Sequence, residues 1–180
     1  VIARAEGRSR VEPEYLLLPA NPVFIWGSLL LALCINLLPW GRLAWLPDVL
    51  AVVLVFWNVH QPRRVGIGAA FAFGVLMDVH SAALLGQHAL AYTLLSFFAI
   101  TIHRRLVWFT APTQALHVLP LFAAAHAVTL VVRLLGGAAW PGWSYLLAPV
   151  FEAALWPLAT AVLLAPQRRP PDPDANRPVL

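Results

Sequence analysis

The feature that most constrains this chain is a series of long apolar runs, most of them closed by an arginine cluster or a Pro/Gly stop. A helix that crosses a bilayer takes about 17–25 mostly apolar residues, each rising about 1.5 Å. Six candidates fit the 180 residues with short loops between them. The first spans 22–38, where Asn21 is a fitting N-cap, Pro22 suits the first helical position, and Pro39-Trp40-Gly41-Arg42 stops it. The second spans 46–59, with Pro47-Asp48 at its start and His60-Gln61-Pro62-Arg63-Arg64 at its end. From Val65 to Ile102 the one formal charge is Asp78, and a single helix of that length is improbable. A turn over Asp78–Gln87 divides it into a third helix (65–77) and a fourth (88–102), closed by His103-Arg104-Arg105. A fifth spans 113–132 and a sixth 145–164.

Composition excludes the soluble alternative. The chain is 61% hydrophobic and 11% charged, against about 25% charged residues in a soluble domain. A water-soluble fold needs a polar skin that these residues do not supply. The expected class is therefore an all-α integral membrane protein, a bundle of six transmembrane helices. Residues 1–21 form a cytoplasmic segment, 22–164 the membrane domain, and 165–180 a disordered cytoplasmic tail rich in Pro, Asp and Arg. The N-terminal stretch has no basic start, short apolar core and small-residue cleavage site, so the first apolar run is expected to stay in the mature protein.

Arginine placement sets the orientation. With the N-terminus inside, six crossings put Arg4, Arg8, Arg10, Arg63, Arg64, Arg104, Arg105, Arg168, Arg169 and Arg177 in the cytoplasm and leave Arg42 and Arg133 outside. The positive-inside rule is then met at every cytoplasmic loop. Trp40, Trp45, Trp140 and Trp143 map to the outer interface, and Trp26, Trp57 and Trp108 toward the inner one. The basic balance is a topology signal: no basic stripe with interleaved aromatics lies on a polar surface, so nucleic acid is not an expected partner. Cys34, the single cysteine, rules out an intrachain disulfide and a Cys-based metal site.

Several residues interrupt the apolar pattern. Gly66, Ala70, Gly74 and Asp78 recur every four residues, so they share a helix face on which small side chains let a neighbouring backbone approach. Asp78 either caps the turn or orients a partner. Asp48, Arg133 and Glu152 also fall in the outer half, where Arg133 has three carboxylates within its expected reach. An ion pair that fastens helices is one reading. The other is an outward cavity lined by Asp78, Arg133 and Glu152 that takes a solute. His88, Tyr92, Ser96 and His103 form a polar stripe on the fourth helix, suited to interhelical hydrogen bonds. His117 and His126 are out of phase on the fifth and cannot share one metal. No HExxH, GxSxG, P-loop or paired carboxylates of an intramembrane protease occur, so neither an enzyme nor a cofactor is expected.

The residues from the second to the fourth helix carry a resemblance. They are Pro47-Asp48, Phe56-Trp57-Asn58-Val59-His60-Gln61-Pro62-Arg63-Arg64-Val65-Gly66, Phe73-Gly74-Val75-Leu76-Met77-Asp78-Val79-His80 and Leu85-Gly86-Gln87-His88-Ala89-Leu90-Ala91-Tyr92. With the flanks Leu38–Arg42 and Leu164–Pro171, they resemble proteobacterial members of the rod-shape-determining membrane protein family MreD, over about 19–178. The resemblance implies a non-enzymatic inner-membrane subunit of the machinery that keeps rod cells rod-shaped. It implies MreC as direct partner, and the actin-like MreB, the glycosyltransferase RodA and its penicillin-binding transpeptidase as complex members, with lipids around the bundle. It also implies a six-helix bundle similar to the substrate-binding components of vitamin-uptake transporters. Asp48, Gly66, Gly74, Asp78 and Gly86 are the positions it marks for fold or partner contact.

Overall fold

The computed structural model describes residues 20–39 and 45–167; their regular structure is all helical, with no strand among them. Six α-helices follow in order: α1 Pro22–Leu37, α2 Val49–His60, α3 Ile67–His80, α4 Gln87–Leu106, α5 Ala111–Leu135 and α6 Ala148–Leu164. A 3-10 turn, Trp143–Leu147, leads into α6 and another, Ala165–Gln167, ends it. Of the expected N-terminal segment 1–21 and the tail 165–180 expected to be disordered, residues 1–19 and 168–180 lie outside the described residues, as do Trp40, Arg42 and the arginines of both segments, whereas 165–167 are helical.

Local chemistry accounts for the boundaries. Asn21 Oδ1 accepts from Val23 N at 2.9 Å and Pro22 opens α1, as expected. Pro47 and Asp48 stay outside α2, because the Asp48 carboxylate takes the cap position and accepts from Ala51 N at 2.9 Å. The larger correction is at α3, which runs on through Asp78 to His80, so that the turn occupies only 81–86. Asp78 is therefore a buried residue of the last helical turn. The expected fourth and fifth helices are also longer at both ends, and the sixth starts at Ala148.

Packing assigns the helices different roles. Ten of the twelve α2 residues are buried, Leu50 through Val59 without a break. A helix apolar all round is stable when neighbours cover every face, and α2 is surrounded by α1, α4 and α6. The ring is completed by α3 against α4, α4 against α5, and α5 against α6. Trp57, placed at the inner interface by sequence, is fully buried here and donates from Nε1 to Ser28 Oγ at 2.8 Å. Burial in the core leaves its N–H dependent on a protein partner, which Ser28 provides.

Two helical stretches, Ala111–Leu135 and Trp143–Gln167, are each 25 residues long and apolar enough to cross a membrane. α1, α2 and α3 are apolar but shorter. The 12 residues of α2 rise only about 18 Å at ~1.5 Å per residue, less than the ~30 Å hydrocarbon core. A helix enclosed by others need not meet both interfaces itself. α4 has 20 residues and carries Arg104 and Arg105 in its last turn.

Candidate functional site: a carboxylate cluster at one end of the bundle

Antiparallel succession brings the C-terminal ends of α1, α3 and α5 together with the N-terminal ends of α2, α4 and α6. All six contribute to the wall of one cavity of about 870 Å³. The arginines of the described loops and helix ends divide accordingly. Arg63 and Arg64 follow α2, and Arg104 and Arg105 close α4, all at the opposite end; Arg133 alone belongs to the cavity end.

Asp78 builds the first half of the cluster. Its Oδ2 accepts from Gly86 N at 2.8 Å and from Ala89 N at 3.3 Å, and its Oδ1 accepts from His88 N at 2.7 Å. The His88 ring Nδ1 lies 2.8 Å from the same Oδ1. The first N–H groups of a helix have no partner within it, and here a carboxylate from α3 satisfies those of α4, with charge of the sign that the helix dipole favours. Gly86 sits at φ +102°, where a side chain would be strained, and this turns the chain back under Asp78. Gly74, one turn before Asp78, lies against α4: a Cβ there would stand 2.6 Å from Ala89 N and 2.7 Å from His88 O. Gly74, Asp78 and Gly86 thus form one joint between α3 and α4. Gly66 does not belong to it. It precedes α3 as the N-cap and has open space around it.

Asp48 and Glu152 build the second half. Asp48 Oδ1 accepts from Asn36 Nδ2 at 2.6 Å in addition to capping α2, and Oδ2 accepts from the Tyr92 hydroxyl at 2.5 Å. The Asp48 backbone N–H donates to Glu152 Oε1 at 3.0 Å. His126 Nε2 stands 3.5 Å from that same oxygen. Glu152 is fully buried, and its Oε2 has no hydrogen-bond partner. Five helices meet through these contacts, and a buried carboxylate is tolerated where its lone pairs are used in this way.

Arg133 departs from expectation. It lines the cavity but forms no ion pair with Asp48, Asp78 or Glu152; helix ends, Tyr92, Asn36 and the two imidazoles take the oxygens of these carboxylates, all except Glu152 Oε2. Asp78 is also absent from the cavity wall, its oxygens being turned to α4. The polar stripe on α4 does bond across helices: His88 to Asp78, Tyr92 to Asp48, and Ser96, which accepts from Asn58 Nδ2 at 2.7 Å. His103 instead contacts the Ile100 carbonyl of its own helix. Asn36 and Asn58 were not singled out from sequence. Each is an isolated amide inside an apolar run, and that isolation was the available signal. Among the described residues, no three His, Cys, Asp or Glu side chains are grouped to hold a metal.

The described residues form an all-helical bundle joined at one end by buried carboxylates, with two stretches long and apolar enough to cross a bilayer. Its lineage follows from comparison of the whole bundle. The chain belongs to the rod shape-determining protein MreD family, whose model matches residues 20–166 and so covers all six helices. It is accordingly a rod-shape-determining membrane protein. No solved structure matches the chain, and the likeness to vitamin-transporter binding components stays with the sequence resemblance alone.

Proposed function

We propose that this chain is a non-enzymatic subunit of the bacterial inner membrane that binds MreC and helps organise lateral peptidoglycan synthesis and cell shape. The family match over residues 20–166 carries the reading. The use of Asp48 and Asp78 supports it, since helix ends and neighbouring side chains occupy the oxygens of both and leave them no free role in chemistry. MreB, RodA and the elongation transpeptidase are the wider complex. In this proposal the bundle crosses the membrane six times with both termini cytoplasmic, which puts Arg63, Arg64, Arg104 and Arg105 inside and the cavity outside. MreC then docks against a lipid-facing groove and the outer loops. Solubilisation in mild detergent and affinity capture should bring down MreC. Capture without MreC, together with rod-shaped growth after depletion, would sink the proposal.

The cavity favours a second reading, a solute-binding membrane protein. Arg133 and Glu152 are in its wall and Asp78 is not. The two readings are compatible, because a scaffold can hold a small molecule.

A further inference from the structure

The cavity wall has a polar character that the helix joints do not explain. Asp48 is saturated, but Glu152 is completely buried, lines the cavity, and keeps one oxygen without any partner. A carboxylate oxygen enclosed by protein is stabilised when a cation or a donor reaches it, or when it takes up a proton. His126 approaches the other oxygen, Oε1, at 3.5 Å, and leaves Oε2 bare. On the same wall Arg133 has no carboxylate partner among the described residues. It stands in the last turn of α5, where a cation faces that helix's C-terminal carbonyls. One unmatched acceptor and one cation without a described carboxylate partner therefore line the same half-open cavity of about 870 Å³, within the range of about 300–1,000 Å³ of small-molecule sites. Phe122 and Leu84 supply apolar wall.

We infer that this cavity binds a small zwitterion, a primary ammonium joined by a short linker to a phosphate or carboxylate. The ammonium donates to Glu152 Oε2 and the anion is held by Arg133. A primary ammonium has N–H groups for a carboxylate; a trimethylated nitrogen has none. The same chemistry is found in an ethanolamine phospholipid headgroup and in free phosphoethanolamine or an amino acid. The inference rests on the solute-binding reading of the cavity and is independent of MreC.

The test uses the full chain in nanodiscs of phosphatidylcholine, with or without added phosphatidylethanolamine, and native mass spectrometry of what is retained. A parallel calorimetric titration adds free phosphoethanolamine to the phosphatidylcholine sample. Selective retention of the ethanolamine lipid over the choline lipid, by about tenfold or more, is expected from one charge-assisted hydrogen bond and identifies a lipid source. Saturable binding of phosphoethanolamine without lipid selectivity identifies a soluble source and also supports the site. Glu152→Gln keeps an oxygen for the Asp48 N–H and should abolish the selectivity; Arg133→Gln should weaken retention of either form. If Glu152→Gln fails to fold, Arg133→Gln and the methylation contrast in the unaltered chain decide the matter. Retention of a molecule with no amine overturns this inference and spares the solute-binding reading. An empty chain in every arm, or ethanolamine and choline lipids held alike with phosphoethanolamine unbound, overturns the zwitterion site; only the empty chain removes the solute-binding reading as well.

Discussion

Gly74→Ala isolates the joint between α3 and α4. The added methyl meets backbone, 2.6 Å from Ala89 N and 2.7 Å from His88 O, which is 0.7–0.8 Å inside the closest ordinary contact. Backbone at a helix start cannot rotate away as a side chain can, so the two helices must separate. Separation pulls on the Asp78 bonds, first on the longest, from Ala89 N at 3.3 Å. Overpacking of this kind costs roughly 1–3 kcal/mol. One stretched bond to a carboxylate adds about 1 kcal/mol and the helix propensity gained on replacing Gly by Ala offsets about 1 kcal/mol, for a net loss of about 1–3 kcal/mol. Gly68→Ala is the matched control, a glycine inside the same helix with nothing within 4 Å of an added Cβ. It should not destabilise, since Ala in an open helical position is favoured over Gly by up to about 1 kcal/mol. The assay is thermal unfolding in one detergent, read as the fraction remaining monodisperse after heating. Equal midpoints for the two variants would refute the close approach, and with it the reading of Gly74 as the glycine that lets α3 reach α4.

Asp78→Asn replaces one acceptor oxygen with a donor that faces N–H groups, so it should destabilise by about 2–3 kcal/mol in the same assay; an unchanged midpoint would mean that the carboxylate does not cap α4. Ser96→Ala leaves the buried Asn58 amide, whose Oδ1 already lacks a partner, without its bond and should cost about 1–3 kcal/mol. The double variant Asn58→Leu with Ser96→Ala removes both polar groups and should recover most of that loss; a double variant as unstable as the single one would refute the pairing. In a Cys34→Ser background, Arg64→Cys should react with an impermeant maleimide only after the membrane is opened, and Ala138→Cys in intact spheroplasts. The reverse pattern would overturn the proposed orientation.

The helical class and the number of helices were legible in the residues themselves. Apolar runs of membrane length admit only helices, since a backbone in lipid must satisfy its own hydrogen bonds. Asn21-Pro22 and the Pro62-Arg63-Arg64 stop marked ends that the structure keeps. Gly74 and Asp78 were identifiable from their spacing and from the rarity of charge in such runs. Which helix lies at the centre was not. α1 and α2 are both strongly apolar, yet ten of twelve α2 residues are buried against four of sixteen in α1. A periodicity argument needs a polar face to contrast with an apolar one, and lipid removes that contrast. The partners of the charged groups were equally hidden. Sequence places Arg133 within reach of three carboxylates, whereas the fold puts the α4 N-terminus, Asn36, Tyr92 and His126 closer to them. Residues distant along the chain compete for one acceptor at distances that only the packed helices fix. The chain alone therefore determined that helices form and where they stop; tertiary packing decided which of them is enclosed, and which oxygen of Glu152 is left facing no one.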